Sequence, residues 1–120
     1  MASFTKLHPK DVTVIVVDIT RATILEAREM KQVIEAEIAA GQRKLVIDLS
    51  ECEFIDSTFL GSLVVELKKM KEEGGELKLV LPKKLDKDLF AVTDTFRLFH
   101  LYKTRDKAVK SFSEKPDDHI

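Results

Sequence analysis

Apolar segments of two different periods alternate along this chain, and that alternation leaves few folds open. Val12 to Val17 is a β-branched run and reads as a strand. The segment after it spaces Ala27, Met30, Val33, Ile34 and Ile38 by threes and fours, with Glu26, Arg28, Glu29, Lys31 and Glu35 on the other faces. That is an amphipathic helix, with Gly41 as its stop. Lys44 to Leu49 reads as a second strand. A second helix starts near Ser57, carries Leu60, Leu63, Val64, Leu67 and Met70 as its stripe, and ends at Gly74-Gly75. Leu77 to Val80 is a third strand, closed by Pro82. Leu85, Leu89 and Val92 predict a third helix; Phe96, Leu98 and Phe99 predict a turn or short helix packed inward. Leu101-Tyr102 is a last short strand, and Thr104 caps a final helix whose inner face holds Ala108 and Phe112.

Strands joined through helices must run parallel, with right-handed crossovers. In front of them, Phe4 to Leu7 is expected as an edge strand, turned back through His8-Pro9-Lys10-Asp11. Asp18 to Thr23 is expected to be a polar connection. The predicted architecture is α/β: one domain, a small mostly parallel sheet with an antiparallel N-terminal edge, and about four helices. The domain is expected over residues 1–112, with a polar tail over 113–120.

Composition narrows the function classes. A chain of 120 residues fits one domain with a single core, and 44% hydrophobic with 34% charged residues describes a folded chain. The net charge of −1, with acids and bases interspersed, gives no footprint for nucleic acid or an anionic membrane. Cys52 is the only cysteine, so no internal disulfide forms. The first residues lack a signal-peptide core, and the longest apolar runs, about four residues, fall far short of a membrane span. The expectation is a cytoplasmic, soluble protein without membrane insertion.

The stretch that carries chemistry is Lys44 to Gly61. Its strand ends at the carboxyl edge of the sheet, where sites tend to form. Glu51 to Ile55 bridges to Asp56-Ser57-Thr58 at the mouth of the next helix. Ser57 is either the N-cap of that helix or the residue beside it. Ser and Asp at this place are ordinary caps, worth about 1 kcal/mol. The same hydroxyl is also placed to carry a phosphate, which adds roughly −1.5 to −2 charges. Unpaired N–H groups and the helix dipole favour an anion there by about 0.3–1 kcal/mol, so the fold is expected to survive. Asp56, Glu51 and Glu53 would push the new charge outward, and a partner pressed against the loop would be expelled. A loss of about 4 kcal/mol in binding is a thousandfold loss in affinity.

Ile47-Asp48-Leu49-Ser50, Phe54-Ile55-Asp56-Ser57-Thr58 and Leu60-Gly61 together resemble the signature of the STAS domain, shared by sulphate transporters and bacterial anti-sigma factor antagonists. The likeness runs on to Gly74-Gly75-Glu76-Leu77, and more weakly through Phe96-Arg97-Leu98-Phe99 to Ala108. At this length the chain is similar to the stand-alone antagonists. The resemblance implies that Ser57 is the phosphoacceptor of an anti-sigma factor that is also a serine kinase. The unphosphorylated form would bind that kinase and free the sigma factor, and a serine phosphatase would restore it. Asp56 would orient the loop, Thr58 would be the backup hydroxyl, and Thr20, Arg21 and Thr23 would join the partner surface.

Three places depart from the family pattern. Phe59-Leu60-Gly61 stands where the family usually has Gly-Leu-Gly, Thr20-Arg21-Ala22-Thr23 replaces a Gly-x-Leu-Asp loop, and Asp94-Thr95 replaces a Gly-Leu pair. Phe59 is expected beside the acceptor, as an obstacle to a kinase or an anchor for another partner. Phe59 and the changed loop support an alternative: a subunit that is never phosphorylated, in a lipid-transport or stress-sensing assembly or a homodimer. A small-ligand or nucleotide site at the carboxyl edge is a third class.

Other residues yield less. Asp48 lacks the extra acids of a receiver-domain site. His8, His100 and His119 have no metal-ligand spacing to one another or to Cys52. Gly41, Gly61, Gly74 and Gly75 match no phosphate-loop pattern. The chain is therefore expected to be a protein-binding regulator with no cofactor, no metal and no catalysis of its own.

Overall fold

The computed structural model describes residues 4–84, 95 and 97–113. Within them the order is β1 (Phe4–Leu7), β2 (Thr13–Val17), β3 (Arg21–Ala22), α1 (Ile24–Ala39), β4 (Lys44–Asp48), β5 (Phe54–Ile55), α2 (Ser57–Glu72), β6 (Glu76–Val80), β7 (His100–Tyr102) and α3 (Arg105–Ser111). The main sheet has five strands in the order β1-β2-β4-β6-β7. β1 pairs antiparallel with β2, and every other pair in that sheet is parallel. Mixed topology follows from the connections: a tight turn joins β1 to β2, while α1 and α2 carry the chain back to the amino end of the sheet.

Strand periodicity sorts the core into two layers. Ile15, Val17, Leu45, Ile47, Leu77 and Leu79 face α1 and α2 in the larger cluster. Val14, Val16, Val46 and Val80 face the other way, against Ala108 and Val109 of α3 with Tyr102 and Phe112 at the margin. Both faces of β2 are covered, which is why its sequence is a continuous apolar run rather than an alternation. Gly41 takes φ +93° after α1, the left-handed conformation that releases the chain toward β4.

Two expectations need revision. The segment 18–23 is not only a polar connection: Arg21–Ala22 pairs in parallel with Phe54–Ile55, forming a second, two-stranded sheet. Leu98 does not pack inward; it is 54% exposed, and Phe99 alone of that described pair is buried. The helices among the described residues are α1, α2 and α3, the first, second and last of those expected. The helix expected at Leu85, Leu89 and Val92, and the inward turn at Phe96, lie outside the described residues.

Candidate functional site

The small β3–β5 sheet brings the two loops of interest together. Thr20 O accepts hydrogen bonds from the Glu53 and Phe54 amides, at 2.7 and 3.0 Å, and Ala22 O accepts one from the Asp56 amide at 2.9 Å. These bonds set the starts of α1 and α2 side by side.

Asp56 is the N-cap of α2, with extended backbone at φ −87°, ψ 166°. Its Oδ1 accepts from the Phe59 amide at 2.8 Å. Its Oδ2 accepts from the Ile24 amide, the first residue of α1, at 3.0 Å. One carboxylate therefore satisfies an orphan donor in each of two helices. α1 is also capped by Thr23, through a capping box: the Thr23 hydroxyl accepts from the Leu25 amide at 3.2 Å, and the Thr23 amide donates to Glu26 at 2.9 Å.

Ser57 is thus the first helical residue of α2 rather than its cap. Its side chain is exposed, as is that of Thr58. The Leu60 amide is satisfied by Asp56 O at 3.2 Å and the Phe59 amide by the Asp56 side chain. The amides of Ser57 and Thr58 are the remaining donors of the first turn. A group attached to the Ser57 oxygen would stand in solvent, at the positive end of the helix dipole.

Around this serine the surface is apolar. Leu25 is 83% exposed, Ile24 62% and Phe54 39%, and the Arg21 guanidinium lies 4.3 Å from the centre of the Phe54 ring. Thr20 and Arg21 are exposed, and Thr23 is half-buried by its cap.

The comparisons with known proteins fit this geometry. A STAS domain model matches residues 22–108, from Ala22 on β3 to Ala108 on α3. The chain belongs to the STAS domain family. A Thermotoga maritima relative, provisionally named an anti-sigma factor antagonist, is 31% identical over 85 residues, which are 71% of this chain and 75% of its own. The crystal structure of an anti-sigma factor antagonist from Mycobacterium paratuberculosis superposes with a TM-score of 0.79 at 27% identity, covering 92% of this chain and 93% of that one. The Bacillus cell fate determinant SpoIIAA in its phosphorylated form shares the fold alone, at 14% identity and a TM-score of 0.67, over 91% of this chain and 98% of that one.

In this STAS domain the surface differs from expectation at Phe59. Its ring is 0% exposed and belongs to the larger core cluster. Helix geometry explains this: Phe59 lies one turn before Leu63 and in line with Leu67 and Met70, so the first turn must bury it. Phe59 neither screens the Ser57 hydroxyl nor offers its ring to a partner. Sequence reasoning instead missed Ile24 and Leu25. Their signal was present: two aliphatic residues directly after a capping Thr, off the stripe that begins at Ala27.

Asp48 and Glu51 are tied elsewhere. Asp48, 1% exposed, accepts from Arg105 Nε at 2.8 Å and from the Ser50 amide at 2.9 Å, which pins α3 to the end of β4. Glu51 stands 3.7 Å from Lys83, and Glu53 is exposed. A groove of about 480 Å³ lies beyond β4 and β6, lined among others by Asp48, Glu51, Lys83 and Arg105, charges of both signs. Cys52 is buried, and that burial, with Asp48, Glu51 and Asp18 nearby, pushes its thiol up to about 12; it is no nucleophile. Among the described residues no cluster of three or more His, Cys, Asp or Glu can hold a metal, and no helix is long and apolar enough to cross a membrane.

Proposed function

We propose that this protein is an antagonist of an anti-sigma factor that is itself a serine kinase, and that phosphate on Ser57 switches the interaction off. The observation that carries this is the standing of Ser57: an exposed hydroxyl on a first helical turn whose cap is made by its neighbour, not by itself. Charging that oxygen leaves every hydrogen bond of the cap in place. The docking face is formed by Asp56, Ser57 and Thr58 on one side and by Thr20, Arg21 and Thr23 on the other. Ile24, Leu25 and Phe54 supply the apolar area between them. A partner seated there would have to desolvate a new dianion beside the Asp56 carboxylate, a penalty of several kcal/mol. A serine phosphatase would reset the switch. The relatives named anti-sigma factor antagonists, and a structural neighbour known in a phosphorylated form, support the reading.

The alternative role as an unphosphorylated assembly subunit loses one of its two supports, because Phe59 is not on the surface. The test is incubation with the cognate kinase and ATP, followed by mass spectrometry of the peptide containing Ser57. One phosphate on Ser57 is expected, none on Ser57→Ala, and phosphate elsewhere counts against the proposal. Ser57→Ala is expected to bind the kinase irrespective of ATP, and Ser57→Asp about a hundredfold or more weakly. Replacing Ile24 and Leu25 together by Ser is expected to weaken binding at least about tenfold with the melting temperature unchanged, since both side chains already face water.

A further inference from the structure

The buried stripe of α2 has one acidic member. Glu66 falls between Leu63 and Met70 at helical spacing, so the turn of the helix carries it inward with them. Its side chain is 1% exposed, and neither carboxyl oxygen has a hydrogen-bond partner among the described residues. The nearest cation is Lys69 Nζ, 3.7 Å from Glu66 Oε2. That ammonium is held more tightly by α1, where it donates to Glu35 Oε2 at 2.5 Å. Lys31 of α1 adds a weaker attraction, and the Glu35 carboxylate repels. The sheet's residues in this core layer are apolar: Phe4, Ile15, Val17, Leu45, Ile47, Leu77 and Leu79. One ammonium thus stands between two carboxylates, and the more exposed of them has it. An ionised Glu66 would be an under-compensated charge in an apolar seam; the neutral acid is the form this seam accommodates.

We propose that Glu66 is a proton-operated latch between α1 and α2: the closed helix pair holds it as the neutral acid, and loss of the proton loosens α2 from α1. The shift agrees with the geometry, since burial first, and the Glu35 carboxylate second, push the Glu66 carboxyl up to about 7. In the unfolded chain it titrates near its ordinary value of 4.5. Between those two values the folded chain keeps a proton that the unfolded chain has lost. Glu66 therefore favours folding at the acid end, and that support drains away as pH rises through the folded value. Glu35 and Asp11 are shifted the other way by their lysine partners, so their support fails only in acid, below the range in question. The latch reaches the Ser57 face because both helices begin at the Asp56 carboxylate. A tilt of α2 against α1 strains the Ile24–Asp56 hydrogen bond.

The test is a pH titration of the full chain by NMR, from pH 4 to 9, with urea unfolding of wild type and Glu66→Gln in parallel. The carbon signal of the Glu66 carboxyl is expected to titrate about two pH units above the exposed glutamates. The folded-to-unfolded ratio of wild type is expected to fall, relative to Glu66→Gln, by about tenfold or more between pH 5 and 8. The comparison with the variant cancels every titration that the two chains share. The Ile24 and Ser57 amide signals are expected to move with the Glu66 midpoint in wild type and to lose that transition in the variant. Lys69→Met, which removes the closest cation, is expected to raise the midpoint further. Glu66 titrating with the surface glutamates, equal pH slopes for wild type and Glu66→Gln, or amides that stay still while Glu66 ionises would each overturn the latch.

Discussion

At the scale of single residues, Asp56 and Phe59 do work that a list of site residues does not convey. Asp56 accepts from one amide in each of two helices, at 2.8 and 3.0 Å, so its loss removes the cap of α2 and leaves a first-turn donor of α1 without its acceptor. Asp56→Ala is expected to cost about 1–3 kcal/mol in urea unfolding, whereas Ser57→Ala beside it stays within about 0.5 kcal/mol of wild type. Phe59→Ala is expected to cost about 3–5 kcal/mol, because a fully buried ring leaves a cavity behind. A cost below about 1 kcal/mol would mean that the ring does not lie in the core. The burial of Phe59 was legible in the sequence, since it extends the stripe of Leu63, Leu67 and Met70 by one turn. It is misplaced only when its neighbour Ser57 is read as the centre of a surface and the helix period is set aside. Glu66 was less legible, because a charged residue within an apolar stripe reads as belonging to the flank.

Elements of three residues or more declared themselves in the chain, and the two-residue strands did not. β2, β4, β6, α1 and α2 follow from apolar runs or stripes bounded by Pro, Gly and capping residues. β3 and β5 have two residues each, too few to show any period, yet they are what places the Thr20–Thr23 loop beside Asp56. The turn from α2 into β6 shows how tightly such junctions close. Gly75 is buried, its amide donates to Met70 O at 2.9 Å, and the Glu76 amide donates to Arg43 O at 2.9 Å. A Cβ on Gly75 would meet Met70 Sδ and stand 2.7 Å from Arg43 O. The sulfur can swing aside; the carbonyl, bonded into the junction with β4, cannot. Gly75→Ala is expected to lower stability by about 1–3 kcal/mol, read as a lower urea midpoint with the slope unchanged.

Over the whole molecule, the sheet carries α1 and α2 on one face and α3 on the other, and the candidate docking surface sits where the paired helices begin. The α/β class and the parallel order could be read in advance because connection chemistry dictates them. Which residues line the docking surface could not, since exposure depends on how two loops meet in space. Asp56 gives that pairing a mechanical character. The two helices are clasped twice, at their starting ends by this carboxylate and near their finishing ends by Lys69 against Glu35. They behave as a yoked pair, and any play is confined to the overhang past the second clasp, toward Ala39 and Glu72. Hydrogen exchange is expected to quicken in that overhang, and Asp56→Ala to quicken it at the opposite end by opening the first clasp.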